Sequence, residues 1–200
     1  MKMLIAALAF VVLAPIVCGL LSGFDRIITA RMQGRYGPPL LQPFYDVLKL
    51  FEKENLMVNQ FYHSFYLMCY LLFMIASGIL FFTGQDLLIV IFAFTLADIF
   101  LVLAAYSTNS PYSFIGAERE LLQMMAAEPM LLISAVGLFM ATKSFKVGDI
   151  ANAWCGQASA DFNTIILLPG VFIGLLFILT IKLRKSPFDL STSHHAHQEL

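Results

Sequence analysis

The stretch LLIVIFAFTLADIFLVLAAY, residues 87–106, decides the fold class of this protein. Asp98 is the only charged residue in it. The hydrocarbon core of a bilayer is spanned by about 20 apolar helical residues. Because lipid offers no hydrogen bonds, the backbone of such a segment must form its own, as a helix does. We therefore predict a membrane-spanning helix here.

Four further stretches share this length and apolar character. The five predicted spans cover residues 3–24, 61–82, 87–106, 121–141 and 165–183. Only 12% of the 200 residues are charged, against about 25% in soluble domains. The mean hydropathy of +0.81 excludes a large soluble domain. We predict an all-α, polytopic transmembrane bundle that forms a single membrane domain over residues 1–200.

The first stretch also has features of a secretory signal peptide. Lys2 supplies a basic start, and Cys18 stands where a lipoprotein could be cleaved. Val17 is too bulky for that cleavage site, and the apolar run continues to Phe24, beyond the length of a usual cleavable core. We expect a retained helix.

The lysines and arginines predict the orientation of the chain. If the spans alternate in direction, nine of the 12 basic residues fall on one side. The other three are Lys2, Lys143 and Lys146. Cytoplasmic loops are enriched in basic residues, so the nine-charge side is predicted to be cytoplasmic and the N-terminus to lie outside. The first loop, the loop 107–120 and the C-terminal tail then share one side, which indicates a docking surface.

The first loop contains a predicted amphipathic helix over residues 42–55. Gly37-Pro38-Pro39 breaks the preceding structure, and Pro43 suits an early helical position. Apolar residues from Phe44 to Phe51 recur with helical spacing, while charged residues take the other faces. Such a helix lies along the membrane interface. It acts either as a brace on the membrane surface or as a binding site for a partner.

Two acidic residues lie inside predicted spans, namely Asp98 and Glu128. A carboxylate in lipid is costly and usually faces the bundle, where it serves a function. Counted from Tyr106 and Leu121, both lie roughly 11 Å below the cytoplasmic surface. Since the third and fourth spans are consecutive and antiparallel, we expect the two acids at one level, in one cavity.

Pro129 favours a chemical role for Glu128. A proline inside a helix leaves the carbonyl of Met125 without its hydrogen bond, so water or a side chain must satisfy it. Low dielectric raises the pKa of a carboxyl toward neutrality. Glu120, Met124 and Glu128 recur at every fourth residue along one helical face, which could lead a proton inward. Glu128 and Asp98 are therefore either stations of a proton relay or neutral, hydrogen-bonded contacts between helices.

The tail carries a histidine cluster, His194, His195 and His197, followed by Glu199. Histidines can bind metal or buffer protons. The spacing HHxH is not a recognised ligand pattern, so we expect proton handling or a polar structural role. The three cysteines are far apart and form no CxxC pair. We therefore predict no metal or redox centre in this chain.

Three segments of the chain together resemble one family. They are RMQGRYGP (31–38) with LQP (41–43) and the charged residues up to Glu54, the segment 112–129 with Arg119, Glu120, Glu128 and Pro129, and KSPFDL (185–190) with Glu199-Leu200. They resemble a membrane subunit that is common to respiratory complex I and the energy-converting nickel–iron hydrogenases. In complex I this subunit forms the quinone site. The stretch after PFDL is similar to the Ech-type, or group 4, hydrogenases. Lys185 replaces the arginine of the family pattern, which keeps the charge but loses the bidentate geometry.

The resemblance implies a non-catalytic membrane subunit of an oxidoreductase complex. Its partners would be hydrogenase large and small subunits, an iron–sulfur subunit and an antiporter-like membrane subunit, and they would hold the nickel–iron centre and the iron–sulfur clusters. The chain would couple ferredoxin and hydrogen chemistry to proton or sodium translocation in the cytoplasmic membrane of a prokaryote. The resemblance implies an ion-path position for Glu128, and we expect Glu120, Asp189 and Glu199 to line its cytoplasmic entrance. Asp98 and the three tail histidines are further candidates for the ion path on the chemistry of their side chains. Those implied for docking the soluble arm are Arg31, Arg35, Asp46, Lys49, Arg119 and Lys185.

Other interpretations remain open from the residues. One is the quinone-site subunit of a complex I-like NADH or ferredoxin:quinone oxidoreductase. Another is a free-standing ion transporter, and the simplest is a structural anchor. The family continues into further spanning helices after the segment that ends here at Glu199-Leu200, so we expect the chain to be truncated relative to the family.

Overall fold

A computed structural model describes residues 2–53, 60–154, 162–184 and 188 of the chain. Over these residues the regular structure is entirely helical, which confirms the predicted all-α class. The helices are α1 (Lys2–Met32), α2 (Gln42–Phe51), α3 (Gln60–Phe82), α4 (Leu87–Tyr106), α5 (Pro111–Thr142), α6 (Val147–Trp154) and α7 (Phe162–Lys182). Two compact units divide the chain, Met1–Leu56 and Met57–Leu200.

The first unit contains α1 and α2, joined by a reversal of the chain at Gly34. This glycine has a φ of +71°, and the amide of Arg35 donates to the carbonyl of Ala30 at 3.0 Å. Together these features form a Schellman cap, in which glycine takes the left-handed position. The returning chain passes so close to Gly23 that a Cβ there would lie 2.2 Å from the carbonyl oxygen of Leu40. Only glycine therefore permits this packing.

Helix α2 covers most of the helix predicted over residues 42–55, and Pro43 lies in its first turn. It ends at Phe51, while residues 54 and 55 lie outside the described residues. The ring of Phe44 packs over Gly19 of α1. Phe51 is largely exposed, so α2 presents an apolar edge as an interfacial helix does.

In the second unit, α3 packs against α4, α4 against α5, and α5 against α7. The buried positions are dominated by small residues, and Ala97, Ala117 and Ala127 are completely inaccessible. Small side chains allow helices in membranes to approach closely. A Cβ at Gly137 of α5 would lie 2.8 Å from Val171 of α7, which shows the same close packing.

Four of the described helical segments are long and apolar enough to cross a membrane. They are Ala7–Met32, Phe61–Phe82, Leu87–Tyr106 and Pro111–Met140, and a shorter apolar segment is Pro169–Lys182 in α7. The protein is therefore a polytopic helical membrane protein, as the sequence predicts.

Three elements differ from the expectations. Helix α1 continues eight residues beyond the predicted end at Phe24, to Met32. The segment 107–120, expected to be a loop, is helical from Pro111 onward, because its polar residues extend α5 rather than interrupt it. The short helix α6 was not predicted at all. Hydropathy detects only the lipid-facing part of a helix, and misses polar extensions and eight-residue helices.

Candidate functional site

Four charged side chains meet where α4, α5 and α7 converge, and we call them the charged cluster: Asp98, Glu120, Lys182 and Arg184. The first pair joins Lys182, the last residue of α7, to the carboxylate of Asp98 on α4. Each of these two side chains is only 13% exposed. The ammonium group also lies 4.8 Å from the centre of the Phe94 ring, one turn from Asp98. A buried carboxylate is thus neutralised from the end of another helix.

The second pair joins Arg184 to Glu120 on α5. Nη2 and Nε of Arg184 both donate to Oε1 of Glu120, at 2.8 and 3.0 Å. The Glu120 side chain is 10% exposed and that of Arg184 is 26% exposed. Arg184 itself has a φ of +50°, which is uncommon outside glycine. The chain thus turns sharply just after α7 and directs the guanidinium back onto α5.

The local sequence explains why both cations reach inward. Lys182 and Arg184 follow an apolar helix, and a cation at a helix C-terminus is stabilised by the helix dipole. Both side chains are long enough for their charges to reach the acids of neighbouring helices. Tyr70 of α3 lies close enough to interact electrostatically with Asp98, Glu120 and Arg184. Four helices therefore contribute to the site.

The register of α4 against α5 corrects the expected level of Asp98. The hydroxyl of Ser113 donates to the carbonyl of Ala105 at 2.9 Å. Seven residues back from Ala105 along α4 is Asp98, and seven residues forward from Ser113 along α5 is Glu120. The two acids therefore lie opposite each other. Glu128 lies eight residues further along α5, about 12 Å deeper. The expectation that Asp98 and Glu128 share one level is wrong, because α5 begins at Pro111 and not near Leu121.

Glu128 has a different environment from the paired acids. It shares a helical face with Met124 and Ala135, both of which are buried, and its own side chain is partly buried. Among the described residues it has no hydrogen-bond or ion-pair partner. Pro129, directly after it, lies inside α5 and frees the carbonyl of Met125. The position thus combines a carboxyl that has no partner among the described residues with a backbone carbonyl that lacks its usual helical hydrogen bond.

The segment after α7 is held against α5 at one described point. The side-chain amide of Gln123 donates to the carbonyl of Phe188 at 3.0 Å. The ring of Phe188 contacts that of Phe177 edge-on. The other predicted tail residues lie outside the described residues: Lys185, Asp189, His194, His195, His197 and Glu199. Within the part that the structure describes, no group of three His, Cys, Asp or Glu side chains could hold a metal.

The predicted docking residues of the first unit lie at its exposed end. Arg31 and Arg35 are exposed at the end of α1, and Lys49 is exposed on α2. Asp46 accepts a hydrogen bond from Nη1 of Arg26 at 2.9 Å and another from Gln42. The hydrogen bond from Arg26, followed by that from Gln42, lowers the pKa of Asp46 below its ordinary value. In the second unit, Arg119 is half-buried and interacts with a partner.

Sequence reasoning missed the roles of Lys182 and Arg184. Both entered only the count of basic residues that predicts orientation. The signal was present, since two cations follow an apolar span and two acids, Asp98 and Glu120, need partners in a low dielectric. What the sequence lacks is the pairing of α5 with α7, which brings these charges together.

The family described as NADH dehydrogenase matches residues 4–200. The chain is 30% identical over 98% of its length to Hydrogenase-4 component C and to Formate hydrogenlyase subunit 4, both from Escherichia coli (strain K12). It is 31% identical over 92% of its length to a subunit of the NADH-quinone oxidoreductase of Geobacillus sp. (strain WCH70), of which it covers 59%. The chain spans 65% of the length of the two Escherichia coli relatives.

The fold is similar to a chain in the structure of the membrane-bound sulfane sulfur reductase (MBS), an archaeal respiratory membrane complex. The TM-score is 0.83 at 25% identity, over 97% of this chain and 67% of the other. All of these relatives are components or subunits of multisubunit oxidoreductase complexes.

Proposed function

Because this chain belongs to the NADH dehydrogenase family, we propose that it is the non-catalytic membrane subunit of an energy-converting nickel–iron hydrogenase complex. In this role it docks a soluble electron-transfer arm and couples electron flow between ferredoxin and protons to the translocation of protons or sodium ions. The redox chemistry takes place on partner subunits, which hold the nickel–iron centre and the iron–sulfur clusters.

The position of Glu128, deeper along α5 than the charged cluster, is the observation that carries this proposal. Buried acids in a membrane usually mark ion pathways, and here two of them, Asp98 and Glu120, are paired with cations of α7. Glu128 continues the same face of α5 toward the membrane interior. An unpaired carboxyl beside a freed carbonyl can accept and release a proton, whereas the paired acids hold the helices around it.

The relatives support the branch of the proposal, and the distribution of basic residues supports its orientation. The names of the two Escherichia coli relatives indicate hydrogen metabolism. The nine-charge side, with Arg31, Arg35 and Lys49, faces the cytoplasm and receives the soluble arm. The partners are the hydrogenase large and small subunits, an iron–sulfur subunit and an antiporter-like membrane subunit.

A second candidate is the quinone-site subunit of a complex I-like oxidoreductase. The match to the NADH-quinone oxidoreductase of Geobacillus is as high in identity as the matches to the hydrogenase components. In this alternative the same end of the bundle would lie beside the quinone.

The proposal is tested by purification of the tagged chain from its native membranes in a mild detergent. We expect a complex that contains nickel and iron–sulfur clusters and that evolves hydrogen from reduced ferredoxin. A complex that instead reduces a quinone and contains no nickel would support the second candidate. Recovery of the chain alone, with ion transport after reconstitution, would contradict both and favour a free-standing transporter.

A further inference from the structure

At the opposite end of the second unit from the charged cluster, an apolar cavity of about 420 Å³ opens among α4, α5, α6 and α7. Its described walls include Ile91, Leu131, Ile150 and Leu175. Ser134 also lines it, but the Ser134 hydroxyl donates to the carbonyl of Leu131 at 2.7 Å and so offers no free donor. The volume falls within the range of roughly 300–1,000 Å³ typical of ligand sites.

The cavity extends from the membrane interface into the bilayer core. Leu131 and Leu138, both in its wall, lie seven residues apart on α5, which corresponds to about 10 Å of depth. Val147, Ile150 and Ala151 of α6 line its outer end. An empty apolar space loses dispersion contacts with its walls. In a membrane, the acyl chain of a lipid can fill such a space.

The outer end of the cavity carries two cations. Lys143 and Lys146 are exposed in the link between α5 and α6. The link is built rigidly: the amide of Lys143 donates to the carbonyl of Phe139 at 2.7 Å, and the rings of Phe139 and Phe145 stack at 4.2 Å. Paired backbone hydrogen bonds also join this link to the turn before α4, from Leu87 to Phe145 and from Val147 to Gln85.

We propose that this cavity binds one acyl chain of a bilayer phospholipid whose phosphate lies at Lys143 and Lys146. Two of the three basic residues on the side predicted to be outside stand at this one link. Basic residues at a membrane surface attract lipid phosphate. Two acids lie in the same region: Asp149, whose carboxylate accepts a hydrogen bond from Ser144 at 2.8 Å, and Asp86, whose backbone forms a bridge with that of Lys146. The phosphate site is therefore assigned to the lysine side chains, both of which are exposed. The inference does not depend on the hydrogenase function.

Photocrosslinking in native membranes that contain the tagged chain tests this site. The probe is a phosphatidylglycerol with a photoactivatable group near the end of one acyl chain. We expect concentrated labelling of residues 131–151, measured by mass spectrometry of the digested chain. Ala151→Phe, which places a ring in the cavity, should abolish it, and Ser134→Leu, on α5, serves as a second filling variant. Ile133→Phe, on the exposed face of α5, is the matched control and should leave the labelling unchanged.

The headgroup is tested with a diacylglycerol probe that carries the same acyl chain. The wild-type chain should prefer the phospholipid probe, and Lys143→Gln with Lys146→Gln should weaken its retention roughly tenfold. Lys53→Gln, an exposed lysine of the first unit, is the control. Uniform labelling of all exposed helix faces, or crosslinks from this face to a partner subunit, would overturn the acyl-chain site. Equal retention of the two probes would overturn the phosphate assignment.

Discussion

Glu120 and Glu128 lie about two turns apart on one face of α5, yet their surroundings are opposite. Glu120 is held by the guanidinium of Arg184, and Asp98, at the same level, is held by Lys182. Glu128 has no such partner among the described residues. A paired buried charge fixes the positions of the helices that carry it, and loss of either partner is costly. This difference is the basis of our proposal that the ion pairs of Asp98 and Glu120 stabilise the fold and that Glu128 carries the proton.

The largest effect is expected when a single charge is removed from the level of Asp98 and Glu120. Lys182→Met leaves the carboxylate of Asp98 without its partner in a low dielectric. Removal of one member of a buried ion pair costs about 3–5 kcal/mol. We expect a large fall in the amount of folded chain and in its melting temperature after extraction in detergent.

The control for this change is the double variant Asp98→Asn with Lys182→Met, which removes both charges. It should regain most of the lost stability, because no uncompensated charge remains. A single Lys182→Met variant as stable as the wild-type protein would show that the pair does not stabilise the fold.

A smaller effect is expected at Arg184, whose side chain is more exposed than that of Lys182. Arg184→Gln removes two hydrogen bonds to Glu120, and water can partly replace them. We expect a loss of about 1–2 kcal/mol in the free energy of unfolding. Arg184→Lys retains the charge but not both donors, so its stability should lie between that of the wild-type protein and that of Arg184→Gln. Stability equal to that of Lys182→Met would contradict the ranking by burial.

An ion pair outside the membrane core provides a weaker reference. Arg26 and Asp46 are both substantially exposed, and exposed pairs contribute little. The pKa of Asp46 is lowered in the folded protein, so its contribution is present above the ordinary value of 3.8 and is lost as the pH falls through the folded pKa. The stability difference between wild type and Asp46→Asn should be small and constant between about pH 5 and 7, in the window above both pKa values. It should disappear under strongly acidic conditions.

Hydrogen exchange of the α1 and α2 amides, followed as a function of pH, measures this stability difference. Glu52→Gln, which removes a neighbouring exposed acid, is the control. A pH profile identical in the Asp46 and Glu52 variants would contradict the role of the Arg26 hydrogen bond.

The sequence predicts the membrane helices well because each is an apolar run whose length matches the bilayer, as in residues 87–106. It also identifies Asp98 and Glu128 as acids inside spans, since charged residues are exceptional in such runs. It fails on their levels, because depth was counted from the edge of the apolar run at Leu121, while α5 begins at Pro111. Polar turns of a helix beyond the lipid leave no hydropathy signal.

The partners of the acids could not be predicted from sequence for a different reason. Lys182 lies 84 residues from Asp98, and Arg184 lies 64 residues from Glu120. No periodicity within a helix relates such positions. They become neighbours only because α5 packs against both α4 and α7, as at Gly137, which lies close to Val171 of α7.

The smallest effect on stability is expected at Glu128, and this prediction separates the two levels most clearly. Glu128→Gln keeps the size of the side chain and breaks no hydrogen bond or ion pair among the described residues. The melting temperature should therefore change little, while ion translocation coupled to hydrogen evolution should be largely lost, because an amide cannot carry a proton. Glu118→Gln, an exposed acid on the same helix, should alter neither property. The measurement is hydrogen evolution together with membrane potential in vesicles. Unchanged coupling would make Glu128 a contact between helices, like Asp98 and Glu120. A large fall in melting temperature would indicate a partner for Glu128 elsewhere in the assembled complex.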